Sequence, residues 1–424
     1  MVYLMFIAVF VLIFLGIPVV FAIGIPSLAF ILFTTNLPGE VVPQLMTGAV
    51  NSFTMLTIPL FLLAGNIMNS VGITNRIFNF AKTIVGPISG GLGHVNVLAS
   101  LIFAGMSGSA VADIGGLGVI EIDAMIKEGY DLDFSCAITA ASACIGPVFP
   151  PSIVFVIYAM IAEVSVGKLF LGGMIPGILM AISLMIAVYI IAKRKNYPTG
   201  SKRSFRAIAI SLKEGFLSLI TPLIILSGFF FGIFTATEAA IIAVLWSLFV
   251  GLIYHELILK KLVKIILDVG IQSATIMFIS AVASPFAWIL TRSRIPQLLA
   301  EKILSFDMNI NLVLLCVCIF LLLLGCFLDV ISILIIITPI IVPALSVLGV
   351  DLVHFGVIMT ICLMIGLLTP PFGMGLFTVM KVGGISYERI TKAIWPFILV
   401  LFIFLLLITY LPQIVLFIPN LMMK

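Results

Sequence analysis

The stretch Gly146-Pro147-Val148-Phe149-Pro150-Pro151 decides how this chain is read, and it has a second copy in Gly366-Leu367-Leu368-Thr369-Pro370-Pro371. Both follow Gly-x-x-x-Pro-Pro, and both interrupt a long apolar run. A Pro-Pro step disfavours helix at the residue before it and removes two backbone donors in succession. In water such a step is simply a loop. Inside a bilayer it leaves carbonyls with nothing to bond, which is tolerated only where protein or a cavity takes them up. The two breaks are therefore the first places to look for a binding site.

Composition puts the breaks in a membrane. Of 424 residues, 63% are apolar and 9% charged, against about 25% charged in soluble domains. Apolar runs long enough to span recur at 3–34, 53–71, 134–166, 169–192, 216–234, 237–255, 264–290, 310–349, 353–380 and 394–419. The fold class is an all-α polytopic membrane protein, without the period-two alternation of a transmembrane barrel. The first run has no basic flank and no small-residue cleavage site, so it reads as a retained helix. Six cysteines lie in apolar stretches without a Cys-x-x-Cys, and read as small buried hydrophobes. Three scattered histidines make a metal centre improbable. The net charge of +4 is no nucleic-acid signal. It is concentrated in Lys193, Arg194, Lys195, Lys202, Arg203 and Arg206, a linker that the positive-inside rule makes cytoplasmic.

That linker sits near the midpoint and separates two copies of one pattern. Gly146/Gly366, Pro150/Pro370, Pro151/Pro371 and Pro176/Pro396 share one spacing, and Thr57/Thr275, Arg76/Arg294 and Asp113/Asp329 agree with it within a few residues. The repeats run over 1–195 and 215–424, joined by a basic linker at 196–214. Each opens with apolar helices, continues through an amphipathic interfacial stretch, and reaches a segment with a soft polar centre. In the first repeat this is about 94–122, with Gly105 to Asp113. In the second it is about 310–349, with Gly325-Cys326-Phe327-Leu328-Asp329. Small residues and an acid at the centre favour re-entrant hairpins, each followed by a broken helix, at 146–151 and at 366–371. Hairpins paired with broken helices favour inverted repeats.

An acid at a helix centre costs roughly 2.5–3.5 kcal/mol to insert, so Asp113 and Asp329 need compensation. A bound cation supplies it, and so does capping of the hairpin's own backbone; both readings stand. Alkali cations take several oxygen ligands, which broken helices provide as free carbonyls. The first candidate set is Ser107, Gly108 and Ser109 with Gly146, Pro147 and Pro150. The second is Gly325 and Cys326 with Gly366 and Thr369. The bland alternative is helix kinking and glycine packing, against which the duplication weighs. Glu238 is expected to start a helix capped through Thr237. Ser284 and Arg292 are weak candidates for contact with an anionic substrate.

The Gly-Ser pair before Asp113, Gly-Pro-x-x-Pro-Pro-Ser at 146–152, Thr-Pro-Pro-Phe-Gly at 369–373, Thr-Ile-Pro-Leu-Phe-Leu-Leu-Ala-Gly at 57–65 and Thr-Glu-Ala-Ala at 237–240 together resemble the large membrane subunit of tripartite ATP-independent periplasmic (TRAP) transporters. The resemblance covers nearly the whole chain. It implies sodium-driven uptake of an organic acid, of C4-dicarboxylate or sialic acid type, across the bacterial inner membrane. It implies two partners, a small four-helix membrane subunit and a periplasmic substrate-binding protein, and an elevator motion of a transport domain against a scaffold. It places sodium, with no other cofactor, where hairpin tips meet broken helices. Two alternatives compete: a stand-alone ion-coupled carboxylate carrier or antiporter, and, remotely, an intramembrane aspartyl protease. The protease requires two carboxylates sharing a proton, whereas a duplicated frame puts Asp113 and Asp329 in separate sites.

Overall fold

A computed structural model describes residues 2–35, 37–199, 205–305 and 308–423. Lys202 and Arg203 of the basic linker lie outside the described residues. Among those described, every regular element is helical. The first half comprises α1 (Val2–Phe14), α2 (Val19–Thr34), α3 (Val41–Val50), a 3-10 turn (Phe53–Leu56), α4 (Thr57–Ser70), α5 (Ile73–Val85), α6 (Gly91–Ser107), α7 (Ala110–Lys127), α8 (Leu132–Ala143), α9 (Ile153–Ala162) and α10 (Val166–Lys195). The second comprises α11 (Phe205–Phe230), α12 (Ala236–Ile253), α13 (Leu259–Arg292), α14 (Ile295–Ser305), α15 (Ile310–Gly325), α16 (Val330–Val347), α17 (Leu352–Leu367), α18 (Met374–Gly383), α19 (Tyr387–Tyr410) and α20 (Pro412–Met422). Among the described residues seven helices are long and apolar enough to cross a bilayer by length and composition, α16 among them. α16 nevertheless pairs with α15 as a hairpin, as α7 does with α6, and shorter helices pair into broken spans (α8 with α9, α17 with α18).

Rare backbone conformations recur at matching places in the two halves. Positive φ occurs at Gly16 and Gly232 before α2 and α12, at Gly72 and Arg294 before α5 and α14, and at Gly129 and Gly349 after the hairpins. It occurs again at Glu163 and Gly384, which end α9 and α18. Contacts are exchanged in the same way. α4 packs on α12 while α13 packs on α2, α7 on α18 while α16 packs on α9, and α8 on α19 while α17 packs on α10. Between the breaks, Cys144 Sγ donates to Met364 O at 3.4 Å, its counterpart 220 residues along. A residue that meets its own counterpart lies on the two-fold axis relating the repeats.

Helix passes and ion pairs orient that axis. Counting α1 and α2 as spans by their correspondence with the longer α11 and α12, five segments of the first repeat cross, α1, α2, α4, the α8–α9 pair and α10, while the α6–α7 hairpin returns to the side it entered. An odd number of passes turns the second repeat upside down. The pairs Arg76–Glu256 (2.9 Å), Lys82–Glu128 (2.5 Å), Lys195–Asp131 (2.7 Å) and Arg389–Asp133 (2.6 Å) join elements that this count puts at one end. Tyr130 Oη also donates there to Pro198 O (3.1 Å), holding the start of the linker. By its excess of Lys and Arg this end is cytoplasmic. Among the described residues the opposite end keeps only Lys168, Arg292, Arg294 and Lys302. The first hairpin thus enters from the cytoplasm and the second from the other side.

The halves differ where sequence differs. Thr275-Ile276-Met277 sits inside the continuous 34-residue α13. Its counterpart Thr57-Ile58-Pro59 follows a break after Val50, because Pro59 cannot donate and Asn51-Ser52 leave the helix. Thr237, expected as a helix cap, instead answers this break: it is buried, pairs with Thr57 Oγ1 at 2.8 Å, and donates to Phe53 O at 3.1 Å. The cap of α12 is Thr235, in a reciprocal capping box with Glu238. The cysteines also need one correction. Five are buried, but Cys316 is exposed on the outer face of α15.

Lys127 and Val347 are equivalent, exposed positions at the ends of the two hairpins. In oriented vesicles, Lys127→Cys should react with an impermeant thiol reagent only from the cytoplasmic side and Val347→Cys only from the other. Labelling of both from one side contradicts the inversion.

Candidate functional site

At the first hairpin tip α6 ends at Ser107, and the chain turns through Gly108 at φ +61°. Ser109 then caps α7 by accepting from Ala112 N at 3.4 Å. Ser107 Oγ accepts from Ser109 N (3.3 Å) and donates to Asp113 Oδ1. Asp113 is 2% exposed, and its Oδ2 has no hydrogen-bond partner among the described residues. That oxygen lies against the break: a Cβ on Gly146 would stand 2.6 Å from it. The tip meets the break just as closely, since a Cβ on Gly108 would stand 2.7 Å from Pro151 O. Only glycine lets the two backbones approach in this way.

The break itself is partly satisfied. Ser152 Oγ donates to Pro147 O at 2.5 Å while accepting from Phe155 N at 3.1 Å, and so caps α9. Among the described residues no donor reaches the carbonyls of Gly146 or Pro150. Ser107, Gly108, Asp113 and Gly146 thus meet in one buried contact, with Pro147 and Pro150 in the buried break beside it and Ser109 half-buried at the tip.

The second tip is built with the same parts in other roles. Asp329 is itself the cap of α16, accepting from Ser332 N (2.9 Å) and Ser332 Oγ. Gly325 lies on Gly366, where a Cβ would stand 2.9 Å from Gly366 Cα. Gly373 N donates to Cys326 O at 3.3 Å, tying tip to break. Thr369 is held to the end of α17 through Oγ1 to Ile365 O (2.7 Å) and N to Gly366 O (2.9 Å). The capping reading therefore describes Asp329 and not Asp113, which lies one turn inside its helix with a free carboxylate oxygen.

Sequence reading passed over several residues that complete the first cluster. Ser152 was legible, because a serine directly before an apolar run is a helix-start signal. Behind the tip Asn96 Nδ2 donates to Thr139 Oγ1 (2.7 Å), Ser142 Oγ to Asn96 Oδ1 (2.6 Å), and Ser100 Oγ to Ser142 Oγ (3.1 Å). This buried seam fixes α6 to α8. Its members look like isolated polar residues in apolar helices until the two helices are paired.

The weak substrate candidates are not brought together. Ser284 lines a 610 Å³ cavity between α3, α9, α13 and α16. Arg292 stands at the end of α13 with its guanidinium 5.1 Å above the Trp288 ring, and it is not among the lining residues.

Residues 6–414 match the family model described as "Tripartite ATP-independent periplasmic transporter, DctM component". The chain belongs to the DctM family. It is 45% identical over 411 residues to the sialic acid TRAP transporter large permease protein SiaM of Vibrio cholerae, covering 97% of this chain and 96% of that protein. It is 39% identical over 369 residues to the C4-dicarboxylate TRAP transporter large permease protein DctM of Pseudomonas aeruginosa, covering 87% and 86%. Its fold is similar to that of the Alcanivorax borkumensis YdaH transporter, with a TM-score of 0.64, 12% identity, and 87% of each chain covered. This chain is thus a transporter permease of the inner membrane and not an enzyme.

The glycine contacts make a graded test. Gly146→Ala and Gly108→Ala should each lower the thermal stability of the purified chain, by about 1–3 kcal/mol of overpacking. Gly115→Ala, with nothing within 4 Å of its added methyl, should not. Equal effects from all three would mean that tip and break are not in contact.

Proposed function

We propose that the chain is the permease of a sodium-coupled uptake system for a small organic acid. The observation that carries this reading is the duplicated oxygen cluster. In both repeats an aspartate-bearing hairpin tip is set against the carbonyls of a broken helix, in a region too apolar to leave such oxygens idle. Hard oxygen donors without imidazole or thiolate suit an alkali cation. At the first cluster Ser107, Asp113 Oδ2 and the Gly146 and Pro150 carbonyls are the ligands proposed. At the second they are backbone oxygens around Gly325, Cys326 and Gly366, with Thr369. There Asp329 holds the tip in shape and supplies negative charge.

Coupling follows from order. Among the described residues the first tip meets its break through glycine contacts, and the second through glycine contacts and the Gly373 N to Cys326 O hydrogen bond. A cation shared between tip and break closes the gap and completes the surface on which the substrate rests. Each sodium ion crossing 100 mV contributes about 2.3 kcal/mol, so two ions give useful accumulation. The hairpins and broken helices then move as one transport domain against a scaffold of the remaining helices. The relatives named for sialic acid and for C4-dicarboxylates support a carboxylated substrate. The tripartite family supports a separate small membrane subunit and a periplasmic binding protein that delivers the substrate.

Uptake by proteoliposomes containing this chain, its small subunit and the binding protein tests the reading. An inward sodium gradient should drive accumulation. Ser107→Ala and Asp113→Asn should each raise the half-saturating sodium concentration about tenfold, the ~1.4 kcal/mol of one lost ligand interaction. Accumulation indifferent to sodium refutes the coupling; unchanged sodium dependence in both variants refutes the site.

A further inference from the structure

The two repeats differ in residue type at two positions of left-handed backbone, Gly72 against Arg294 and Glu163 against Gly384. α9 and α18 both end in a residue of left-handed conformation, Gly384 at φ +66° in the second repeat and Glu163 at φ +55° in the first. Glycine adopts this conformation freely, and glutamate has no local reason to. At 163 the chain thus keeps a carboxylate where its counterpart has the residue that fits the backbone freely. Glu163 is exposed, and no ion pair or hydrogen bond holds it among the described residues.

Its surroundings show what the charge faces. Glu163 lines the 610 Å³ cavity at the non-cytoplasmic end, between α3 and α13 on one side and α9 and α16 on the other. The other polar lining is hydroxyl: Ser280, Ser284, Thr291, Thr338 and Ser346. Ser280 is 6% exposed, and its Oγ has no hydrogen-bond partner among the described residues. No lysine or arginine lines the space. α9 and α16 both present their C-terminal ends to it, at Glu163 and Ser346, so two helix dipoles add negative potential to the carboxylate. The N-termini of the same helices begin at the two clusters, at Ser152 and Asp329. The carboxylate and the two helix ends set a negative charge against that of Arg292, which stacks on the lining Trp288 from outside the cavity.

We propose that this cavity is the mouth through which a monovalent cation enters from the non-cytoplasmic side, with Glu163 as the charge that concentrates it. The identity of the cation rests on the sodium reading above; the charge selectivity of the mouth does not.

Two measurements test the proposal separately. The first uses Thr291→Cys on the cavity wall, in a chain whose exposed Cys316 is replaced by Ser. A cationic methanethiosulfonate should modify Cys at 291 several-fold faster than an anionic one, and Glu163→Gln should erase the preference. The second is sodium-driven uptake by the assembled transporter in proteoliposomes. Glu163→Gln and Glu163→Gly should each raise the half-saturating external sodium concentration about threefold at low ionic strength. That is the effect of one carboxylate some 6 Å away in a wet cavity. The maximal rate should be unchanged, and added choline chloride should shrink the difference. Glu163→Gly should also raise thermal stability, which separates the charge from any structural role. The absence of a cationic preference, or its survival in Glu163→Gln, overturns the proposal, as does an unchanged sodium requirement. If wild-type uptake ignores sodium, the coupling reading fails and the thiol measurement alone decides the mouth.

Discussion

Everything in this molecule depends on how a bilayer treats an unbonded carbonyl. Helix interiors satisfy their own backbone and can face lipid, whereas a helix stopped halfway cannot. The chain stops two helices halfway, after Ala143 and after Leu367. Each end must then be covered, and the cover is a hairpin from the same repeat, cut short so that its tip lands on the break. Glycine at the contact, serine or aspartate at the tip, and Ser152 as a hydroxyl donor to Pro147 are all ways of covering carbonyls with protein. What they leave uncovered are the oxygens proposed above as cation ligands. Site and fold are thus one solution to one cost.

Inversion is the cheapest way to build such a pair twice. The breaks lie back to back across the two-fold axis, with Cys144 Sγ against Met364 O. Each hairpin's second helix is wedged against the second half of the other repeat's broken span, α7 on α18 and α16 on α9. Neither repeat therefore buries its own hairpin alone. The remaining helices show the same exchange, with α4 on α12 and α13 on α2, and are pinned at the cytoplasmic end by Arg76. This side chain pairs with Glu256 and lies 3.7 Å from the Tyr254 ring centroid.

Much of this was legible in sequence, for identifiable reasons. Pro-Pro in an apolar run has one physical meaning, and the shared spacing of Gly146/Gly366 with Asp113/Asp329 pointed to a repeated architecture of hairpins and breaks. What was not legible depends on pairing between helices. Thr237 looked like a helix start because Thr-Glu in sequence resembles a cap. Its true partner, Thr57, lies 180 residues away. The split between Asp113 and Asp329 was equally hidden, since an offset of four residues, one helical turn, decides whether an aspartate caps a helix or sits inside it. The buried seam of Asn96, Ser100, Thr139 and Ser142 became visible only when α6 and α8 stood side by side.

The length of α13 has a consequence of another kind. Its 34 residues rise about 51 Å, where the hydrocarbon core of a bilayer is about 30 Å thick. The surplus lies at its cytoplasmic start, where Lys260, Lys261 and Lys264 are all exposed. Each lysine at an anionic membrane surface contributes about 1 kcal/mol of attraction. The rod is therefore moored in the lipid headgroups, and its depth is set by the leaflet. Its counterpart, broken into α3 and α4, has no such mooring. Lipid charge and bilayer thickness thus act first on one helix of one repeat, which gives a symmetric protein an asymmetric grip on its membrane.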